Sequence, residues 1–362
     1  MLKILHIGEY MQGGVATYVN TLLHNSPCDF EHYLLLAQGR SEKNWEISSE
    51  KIFFYSYERN LSHAWSTIKY IRQISAEINP DIIFVHSTWA GFFVRLPFFF
   101  VKRNVKILYN AHGWAFLRDT NIFFKSIYAF IERRLLSVTD CVINVSDYEQ
   151  RAAVEYGLNP EKMLRIYSGV DDIWNSDSTS QYKMGKGEIN LLFVGRFDRP
   201  KGLDWLLEVI SDSRLSFVHL YVIGAPVVDD KTESYRDTER VTYLGWVLHK
   251  DLGQYYSACD AVIMPSLWEA FGLTAVEAMC NSKPVLVSDR GALPELVRNG
   301  VNGWVFSLHK ENLVNLLLSL DKQGLESMGK LARNIYETEF SAQVMRSRLN
   351  ELYVCVANRD EN

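Results

Sequence analysis

Apolar runs of strand length, alternating with longer segments of helical periodicity, constrain the fold of this chain more than any other feature. In the first half the runs are LKILHI, HYLLLA, DIIFVHS, VKILYNA and CVINVS. Segments such as VATYVNTLLHN and AWSTIKYIRQISAEI lie between them and have helical character. A continuous apolar strand is typical of a parallel sheet that helices cover on both faces. The alternation therefore predicts an α/β fold with a doubly wound sheet.

The same alternation begins again in the second half of the chain. Residues 172–188 are polar and rich in Ser and Gly, which is typical of a linker. The runs INLLFVG, FVHLYVIG, VTYLG, DAVIMPS and KPVLVS follow this stretch. A chain of 362 residues also exceeds one average domain. We predict two Rossmann-like domains, at 1–171 and 189–340, that face each other across a deep cleft.

The bulk composition argues against several functional classes. A hydrophobic content of 48% and a charged content of 22% are those of a soluble globular protein, and a net charge of −5 argues against nucleic acid as a partner. The five cysteines are scattered without a Cys-x-x-Cys motif, which fits free thiols in a reducing cytoplasm better than zinc or disulfides. No signal peptide and no run long enough to span a bilayer is recognisable, so we expect a cytoplasmic protein.

Positive charge is concentrated in residues 92–137, which carry eight basic and only two acidic residues. Phenylalanine, tyrosine and leucine are interleaved with these charges, as in FFVRLPFFFVKRNVK. Such a segment can lie on an anionic membrane surface. The alternative is that the aromatic residues belong to the core and the charges to a solvated face. We favour the membrane interpretation, which would place the protein peripherally on the inner face of the plasma membrane.

Ligands of open parallel sheets bind beyond the carboxyl ends of the strands, so the residues there are candidates for a site. Gly13 and Gly14 follow the first strand, where they could let backbone N–H groups approach a phosphate; a plain strand-to-helix turn explains them equally well. His112 follows another strand and could donate a hydrogen bond or a proton, although a lone histidine is more often structural. A dinucleotide fingerprint and a P-loop are both lacking, which makes a dehydrogenase improbable.

Two loops of the second domain carry stronger signals. In GRFDRPKG, Arg196 and Lys201 flank a loop that opens a helix, which suits a diphosphate better than it suits a merely solvated basic loop. In PSLWEAFGLTAVEAM, Thr274 and Glu277 have the spacing of a capping box, which predicts that Glu277 closes the start of a helix. Capping does not explain Glu269, nor the turn that follows it.

Taken together, these motifs resemble the retaining glycosyltransferases of the GT-B fold, family four, also called glycosyl transferases group 1. The shared pattern reads PSLWEAFGLTAVEAMCNSKPVLVS, with GRFDRPKG before it. Gly-Gly and His-Gly motifs of the family are present in the first domain. The resemblance covers most of the second domain and only short motifs of the first. Ala270 and Ser282 depart from the family, which usually has glycine at both positions.

The resemblance implies roles for individual residues. Its catalytic set would be His112, Arg196, Lys201 and Glu269. Its donor-binding set would be Gly13, Gly14, Arg196, Lys201, Glu269, Phe271, Gly272, Leu273 and Glu277. Arg196 and Lys201 would bind the diphosphate, Glu269 the sugar hydroxyls and Glu277 the ribose, while His112 would reach the transferred sugar. The resemblance also implies that the helix at 341–358 packs back on the first domain.

The expected reaction transfers a hexose from a UDP- or GDP-sugar to a hydroxyl of a glycan or polyprenyl-linked oligosaccharide. The anomeric configuration of the sugar would be retained. We expect the product to belong to bacterial O-antigen, capsule or exopolysaccharide assembly. We expect no metal and no other cofactor, because no convincing Asp-x-Asp follows a strand and the fixed cations could stabilise the leaving diphosphate. Two alternatives remain open. One is a nucleotide-sugar epimerase of the same two-domain architecture, and the other is a catalytically silent protein that recruits partners to the membrane.

Overall fold

A computed structural model describes residues 1–57, 61–172, 182–226 and 235–358. The chain divides into two compact units. The first unit comprises Met1–Gly169 together with Ala342–Asn362, and the second comprises Val170–Ser341. Most of the linker predicted at 172–188 lies outside the described residues.

The first unit is built on a parallel sheet with seven strands among the described residues, in the order β3-β2-β1-β4-β5-β6-β7. The strands are β1 (Leu2–Gly8), β2 (Phe30–Ala37), β3 (Ile52–Tyr55), β4 (Ile82–His86), β5 (Lys106–Asn110), β6 (Cys141–Asn144) and β7 (Met163–Arg165). The order reverses between β1 and β4, so the strand ends there form the topological switch point at which doubly wound sheets bind ligands.

Helices cover both faces of this sheet because its strands are apolar on both faces. The helices are α1 (Gly14–Leu23), α2 (Leu61–Ile78), α3 (Thr88–Arg95), α4 (Ile122–Leu135) and α5 (Asp147–Glu155). Side chains of α1, such as Val19, share a buried cluster with Ile4 and Phe84 on one face. Side chains of α2 and α3, such as Ile71 and Phe93, pack on the other face. The predicted doubly wound sheet is confirmed.

The second unit repeats this architecture with six parallel strands among the described residues, in the order β10-β9-β8-β11-β12-β13. The strands are β8 (Ile189–Val194), β9 (Val218–Ile223), β10 (Val241–Gly245), β11 (Ala261–Met264), β12 (Val285–Ser288) and β13 (Gly303–Phe306). The helices are α6 (Leu203–Ile210), α7 (Gly253–Ala258), α8 (Leu273–Cys280), α9 (Leu293–Leu296), α10 (Lys310–Leu318) and α11 (Lys322–Ile335). A π-helical turn, Tyr336–Phe340, ends the unit.

The C-terminal helix α12 (Ala342–Ala357) belongs to the first unit. Met345 and Leu349 of α12 join the buried cluster that lies under α1. The Arg346 guanidinium donates a hydrogen bond of 2.9 Å to the carbonyl of Thr21. Among the residues described, no helix of either unit combines the length and apolar character needed to cross a bilayer.

The basic residues of 92–137 are not all on the surface, which corrects part of the argument for a membrane-facing positive segment. Arg95 is fully buried, and its Nη2 donates to Glu132 Oε2 at 2.8 Å. Arg103 forms an ion pair with Asp140, which lies outside this window. Two of the eight positive charges are therefore paired with carboxylates, one of them in the interior, where a buried guanidinium requires such a partner, and one at the partly exposed Arg103.

The aromatic residues of the same region divide between core and surface: Phe93 and Trp114 are among those that are buried, whereas others are exposed. Phe123, on the outer side of α4, is 66% exposed. Five apolar side chains of this helix are exposed to solvent: Ile122, Phe123, Phe124, Ile127 and Phe130. Phe100, in the segment after α3, is 83% exposed. The first unit thus presents apolar surface at the place where the sequence predicted a membrane contact.

Candidate active site

Lys201 and Glu269 lie 68 residues apart in the chain and form an ion pair, with 2.7 Å between Nζ and Oε2. They follow β8 and β11, which are neighbouring parallel strands, so their loops emerge from the same edge of the sheet. The Leu267 N–H donates to the Pro200 carbonyl at 2.8 Å and joins the two loops. Both charged side chains are partly buried, so their charges are less screened than on an open surface.

Two glycines allow these loops to approach closely. Gly202 has φ of 71°, and a Cβ at this position would lie 2.1 Å from the carbonyl oxygen of Pro265. Gly291 has φ of 60°, and a Cβ there would lie 2.2 Å from the carbonyl oxygen of Glu269. A side chain at either position would push apart the backbone that supports Lys201 and Glu269.

Arg196, at the end of β8, does not share the Lys201–Glu269 contact. Its Nη2 lies 2.9 Å from Asp198 Oδ2, and its side chain is 56% exposed. A guanidinium held by one exposed ion pair can reorient at little cost. Arg196 is therefore available to an anion at this strand end, whereas Lys201 is already fixed.

Glu277 does not cap a helix, so the capping-box prediction is wrong. The residue at the N-cap of α8 is Gly272, with φ of 112° and no side-chain cap, so Thr274 already lies within the first turn. Glu277 is buried and accepts 2.6 Å from the Tyr256 hydroxyl at Oε2, while Oε1 lies 3.0 Å from His249 Nε2. The side chains that bind the Glu277 carboxylate belong to α7 and to the segment before it, not to α8, which carries Glu277.

The partners of Glu277 respond to its negative charge. Burial lowers the pKa of His249, but the hydrogen bond and charge of Glu277 raise it more, so the net pKa lies above 6.5. Burial and the same carboxylate raise the pKa of Tyr256, which therefore remains a hydrogen-bond donor. The predicted ribose-binding carboxylate thus already accepts from two side chains.

The turn Phe271–Leu273 leads into α8. Phe271 is buried, and its ring centroid lies 6.1 Å from that of Phe340. The N–H of Ala275 bonds to the Gly272 carbonyl at 3.0 Å, so the N–H groups that precede it begin the helix without intrahelical partners. The sequence-predicted turn is a true helix start at the same sheet edge as Lys201 and Glu269.

In the first unit, Gly13 occupies the N-cap position of α1 with φ of 56°, and the helix begins at Gly14. A Cβ at Gly13 would meet no atom within 4 Å. The Gly13 N–H donates a long hydrogen bond of 3.5 Å to Glu42 Oε1 at this helix start. The space beside the Gly13 Cα is therefore open, whereas a carboxylate already faces the start of α1 at the end of β1.

His112 follows β5 in a left-handed conformation, with φ of 49°. Its backbone N–H donates to Asn110 Oδ1 at 2.9 Å, and its Nε2 lies 3.0 Å from His86 Nδ1. The ring of Tyr18 meets it edge-on, with centroids 4.7 Å apart. Burial lowers the pKa of His112 to about 3, so the ring is neutral at pH 7. Within the described part of the chain, Nδ1 has no hydrogen-bond partner.

The sequence analysis missed several polar residues around the predicted ones: His6, His32, His86, His249 and Tyr256. The signal for the first three was a histidine inside an otherwise apolar strand, where a polar side chain requires a partner. His249 and Tyr256 carried no local signal, because their role depends on α8. Among the described residues, no three or more His, Cys, Asp or Glu side chains are grouped as metal ligands.

Comparison with known families and proteins identifies the family of this chain. The family model described as Glycosyltransferase Family 4 matches residues 12–173, and the one described as Glycosyl transferases group 1 matches residues 188–321. A Klebsiella pneumoniae protein, described as an uncharacterized 41.2 kDa protein in the cps region, is 35% identical over 86% of this chain and 88% of its own.

Two further proteins have assigned functions or ligands. The O-antigen biosynthesis glycosyltransferase WbnH of Escherichia coli is 26% identical over 80% of this chain and 82% of its own. The Anabaena protein HepE, solved in complex with UDP and glucose, has a TM-score of 0.80 and 20% identity, covering 97% of this chain and 99% of its own. The chain therefore belongs to the group 1 glycosyltransferases and has the GT-B fold.

Proposed function

We propose that this protein transfers a glycosyl residue from a UDP- or GDP-sugar to a hydroxyl of a glycan or polyprenyl-linked oligosaccharide, with retention of anomeric configuration. The observation that carries the proposal is the Lys201–Glu269 ion pair at the ends of β8 and β11. In the proposed reaction, Lys201 would bind the diphosphate and the adjacent Glu269 would bind the sugar hydroxyls. HepE, which was solved with UDP and glucose, supports a uridine donor. WbnH and the cps-region protein support a role in surface polysaccharide assembly.

The leaving nucleoside diphosphate gains negative charge as the bond from its oxygen to the anomeric carbon breaks. One N–H group of the Lys201 ammonium donates to Glu269, and the other two could donate to phosphate oxygens. Arg196 would exchange Asp198 for the diphosphate, where its planar fork can bind two oxygens. Together with the N–H groups at the start of α8, these cations would stabilise the transition state without a metal ion.

Glu269 is suited to positioning the sugar rather than to attacking it. Its Oε2 is bound by Lys201, which lowers the nucleophilicity of the carboxylate. We therefore propose front-face displacement. The acceptor oxygen forms the new bond to the anomeric carbon on the side that the diphosphate leaves, and a phosphate oxygen takes the acceptor proton. His112 would contact the transferred sugar through Nδ1, and Gly13 and Gly14 would leave room for phosphate and acceptor.

Glu277 would bind the ribose of the donor. His249 and Tyr256 fix its two oxygens, yet each carboxylate oxygen has a second lone pair for a ribose hydroxyl. The backbone of Phe271, Gly272 and Leu273 would contact the sugar next to Glu269. Ala270, where the family usually has glycine, adjoins that contact and is a candidate determinant of which sugar is accepted.

The decisive experiment combines a donor screen with site variants. Purified protein is incubated with UDP- and GDP-sugars and a lipid-linked acceptor, and the anomeric configuration of the product is measured by NMR. We expect Glu269→Gln, Lys201→Met and Arg196→Ala each to lower kcat/KM by about 10²-fold or more, with Arg196→Ala the most severe. Arg199→Ala, an exposed cation of the same loop, is the matched control. Unchanged rates in all three site variants would refute the site.

Two further outcomes have separate meanings. Isomerised donor in the absence of acceptor would identify an epimerase instead of a transferase. Activity that a chelator abolishes and Mg²⁺ restores would refute the proposed independence from metal.

We also propose that the exposed apolar face of α4 binds the anionic inner surface of the plasma membrane. Ile122 and Phe123 would insert at the interface, while Lys125 would contact lipid headgroups. Phe123→Ser should reduce co-sedimentation with vesicles that contain anionic lipid. Trp65→Ser is the matched control, because Trp65 is an equally exposed aromatic of α2 in the same unit. Binding that ignores anionic lipid, or an equal loss in both variants, would refute this contact.

A further inference from the structure

Four histidines of the first unit are joined ring to ring in one continuous line. His112 Nε2 lies 3.0 Å from His86 Nδ1, and His86 Nε2 lies 3.1 Å from His6 Nδ1. His6 Nε2 lies 2.9 Å from His32 Nδ1, and His32 Nε2 lies 2.8 Å from the hydroxyl of Ser26. The line therefore runs from the candidate sugar-binding histidine to a partly exposed serine. We call these four residues the histidine chain.

The parallel register explains why the rings meet. His32 on β2 faces Ile4 of β1, and His6 lies two residues beyond Ile4. His6 faces Phe84 of β4, and His86 lies two residues beyond Phe84.

The third step begins from a paired strand residue and ends beyond the strand. His86 faces Asn110 of β5, and His112 lies two residues beyond Asn110. Residues two apart on a strand point to the same face, so His32, His6 and His86 cross three neighbouring strands diagonally on one face. That face is the one buried under α1 and α12. The left-handed backbone at His112 continues the line past the end of β5.

Three members of the histidine chain are buried, His112 is partly exposed, and all four are uncharged at pH 7. His6 and His86 have no exposed surface, and His32 is 6% exposed. Burial lowers the pKa of His6 and His86 well below 6.5, and burial with the nearby Lys51 lowers that of His32 to about 4. At pH 7 each ring is therefore a neutral imidazole with one N–H donor and one lone-pair acceptor.

A line of neutral imidazoles allows only two arrangements of its protons. Each contact needs one donor and one acceptor, so the state of one ring fixes the state of the next. In the first arrangement, Ser26 donates to His32 and all four rings carry the proton on Nδ1. In the second, all four carry it on Nε2, and Ser26 accepts. Conversion requires one proton to enter at His112 Nδ1 and another to leave at the Ser26 end, or the reverse.

We propose that His6, His32 and His86 are positioning residues that lock the tautomer of His112, and thereby set whether its Nδ1 donates or accepts a hydrogen bond at the transferred sugar. The part that concerns the sugar rests on the proposed function; the tautomer lock itself does not. Of the ring nitrogens in the histidine chain, His112 Nδ1 is the one that has no hydrogen-bond partner among the described residues. A mixed population at His112 would leave a fraction of the molecules with the wrong polarity toward the ligand.

The lock is tested on the unmodified protein by ¹⁵N NMR of histidine-labelled material, in which protonated and lone-pair imidazole nitrogens have well separated shifts. Single-histidine variants assign the signals. We expect His6, His32, His86 and His112 to share one tautomer at pH 7. Mixed tautomers among the four, or a charged ring at pH 7, would overturn the proposal, whatever the transferase assay shows. This measurement requires no variant to be active.

A break in the chain tests its effect on His112. His6→Phe keeps a ring of similar size but removes both hydrogen-bonding nitrogens. We expect the signals of His112 to change from one tautomer to a mixture, and kcat/KM to fall about two- to tenfold while donor Kd stays within about twofold, the effect of one misdirected hydrogen bond. An unchanged tautomer of His112 in this variant would refute the lock.

Phe84→Leu is the matched control for this break. Its ring centroid lies 5.5 Å from that of His6 and 4.2 Å from that of His86, but it makes no hydrogen bond in the chain. This control should leave both the tautomer and the rate within about twofold of the wild-type values. An equal loss of rate in Phe84→Leu would assign the effect to packing and refute the positioning role. If the wild-type protein neither transfers sugar nor binds donor, the proposed function is refuted. The NMR measurement still decides whether the tautomer of His112 is locked.

Discussion

Mild acid should destabilise the first unit because the unfolded chain can protonate histidines that the folded chain keeps neutral. Burial lowers the pKa of His6, His32 and His86 below the unfolded value of 6.5. A lowered pKa means that stability is complete above pH 6.5. It is lost as the pH falls from 6.5 toward the folded-state pKa, since only the unfolded state takes up protons there.

The magnitude follows from the unfolded-state titration. Between pH 7 and pH 5.5, each histidine that titrates at 6.5 when unfolded and stays neutral when folded costs about 1.2 kcal/mol. His6, His32 and His86, the three buried members of the histidine chain, together cost about 4 kcal/mol, a large part of the stability of an ordinary domain. His112, which is partly exposed, would add to this loss.

Hydrogen exchange measured by mass spectrometry at pH 7 and pH 5.5, corrected for intrinsic rates, reports each unit separately. We expect protection of β1, β2 and β4 to fall steeply at pH 5.5. The second unit is an internal reference, because His219 has a lowered pKa and His249 a raised one, so their contributions oppose each other. His32→Phe should remove one proton from the pH dependence of the first unit. Equal protection of β1 at both pH values would refute the argument.

Three other mutational experiments have defined outcomes. Arg95→Met should cost about 3 kcal/mol in urea unfolding by leaving Glu132 buried without its cation, and adding Glu132→Leu should recover most of that loss. Ser282→Gly should raise the unfolding free energy by about 0.5 kcal/mol, because Ser282 has φ of 57° and glycine adopts this conformation without strain. Glu277 raises the pKa of His249, so the His249 cation stabilises the second unit below pH 6.5, and this stabilisation is lost as the pH rises through the raised pKa. In the wild-type protein, hydrogen-exchange protection of the second unit should therefore decline above pH 6.5. His249→Gln should make this decline smaller.

Strands buried on both faces could be predicted from the sequence, whereas several edge strands could not. All strands named in the sequence analysis are present, but β3, β7 and β13 were missed. Each of these lies at an edge of its sheet and is only three or four residues long. An edge strand has one neighbour and is partly solvated, so it lacks the continuous apolar run on which the prediction relied.

The sequence could name candidate site residues of the second unit, but it could not predict which of them contact each other. The family pattern identified Lys201 and Glu269, yet only the adjacency of β8 and β11 shows that they form an ion pair. Local spacing misassigned Glu277 because a capping box and a buried acceptor have the same local sequence. At Ser282, the left-handed backbone supplies the physical reason for the glycine that the family usually has there.

Histidine shows most clearly why residues judged one at a time mislead. His112 alone favours a structural role over a functional one, and the sequence analysis weighed it alone. Yet LKILHI, HYLLLA and DIIFVHS each place a histidine inside a strand that is otherwise apolar. A buried imidazole without a partner is costly, and a central strand offers few partners except on its neighbours. Since β2, β1 and β4 are neighbours in the sheet, the three histidines explain one another, and the next strand end supplies His112 as the fourth. The polar exceptions to an apolar strand pattern should therefore be interpreted as a set across neighbouring strands, because the sheet satisfies them together.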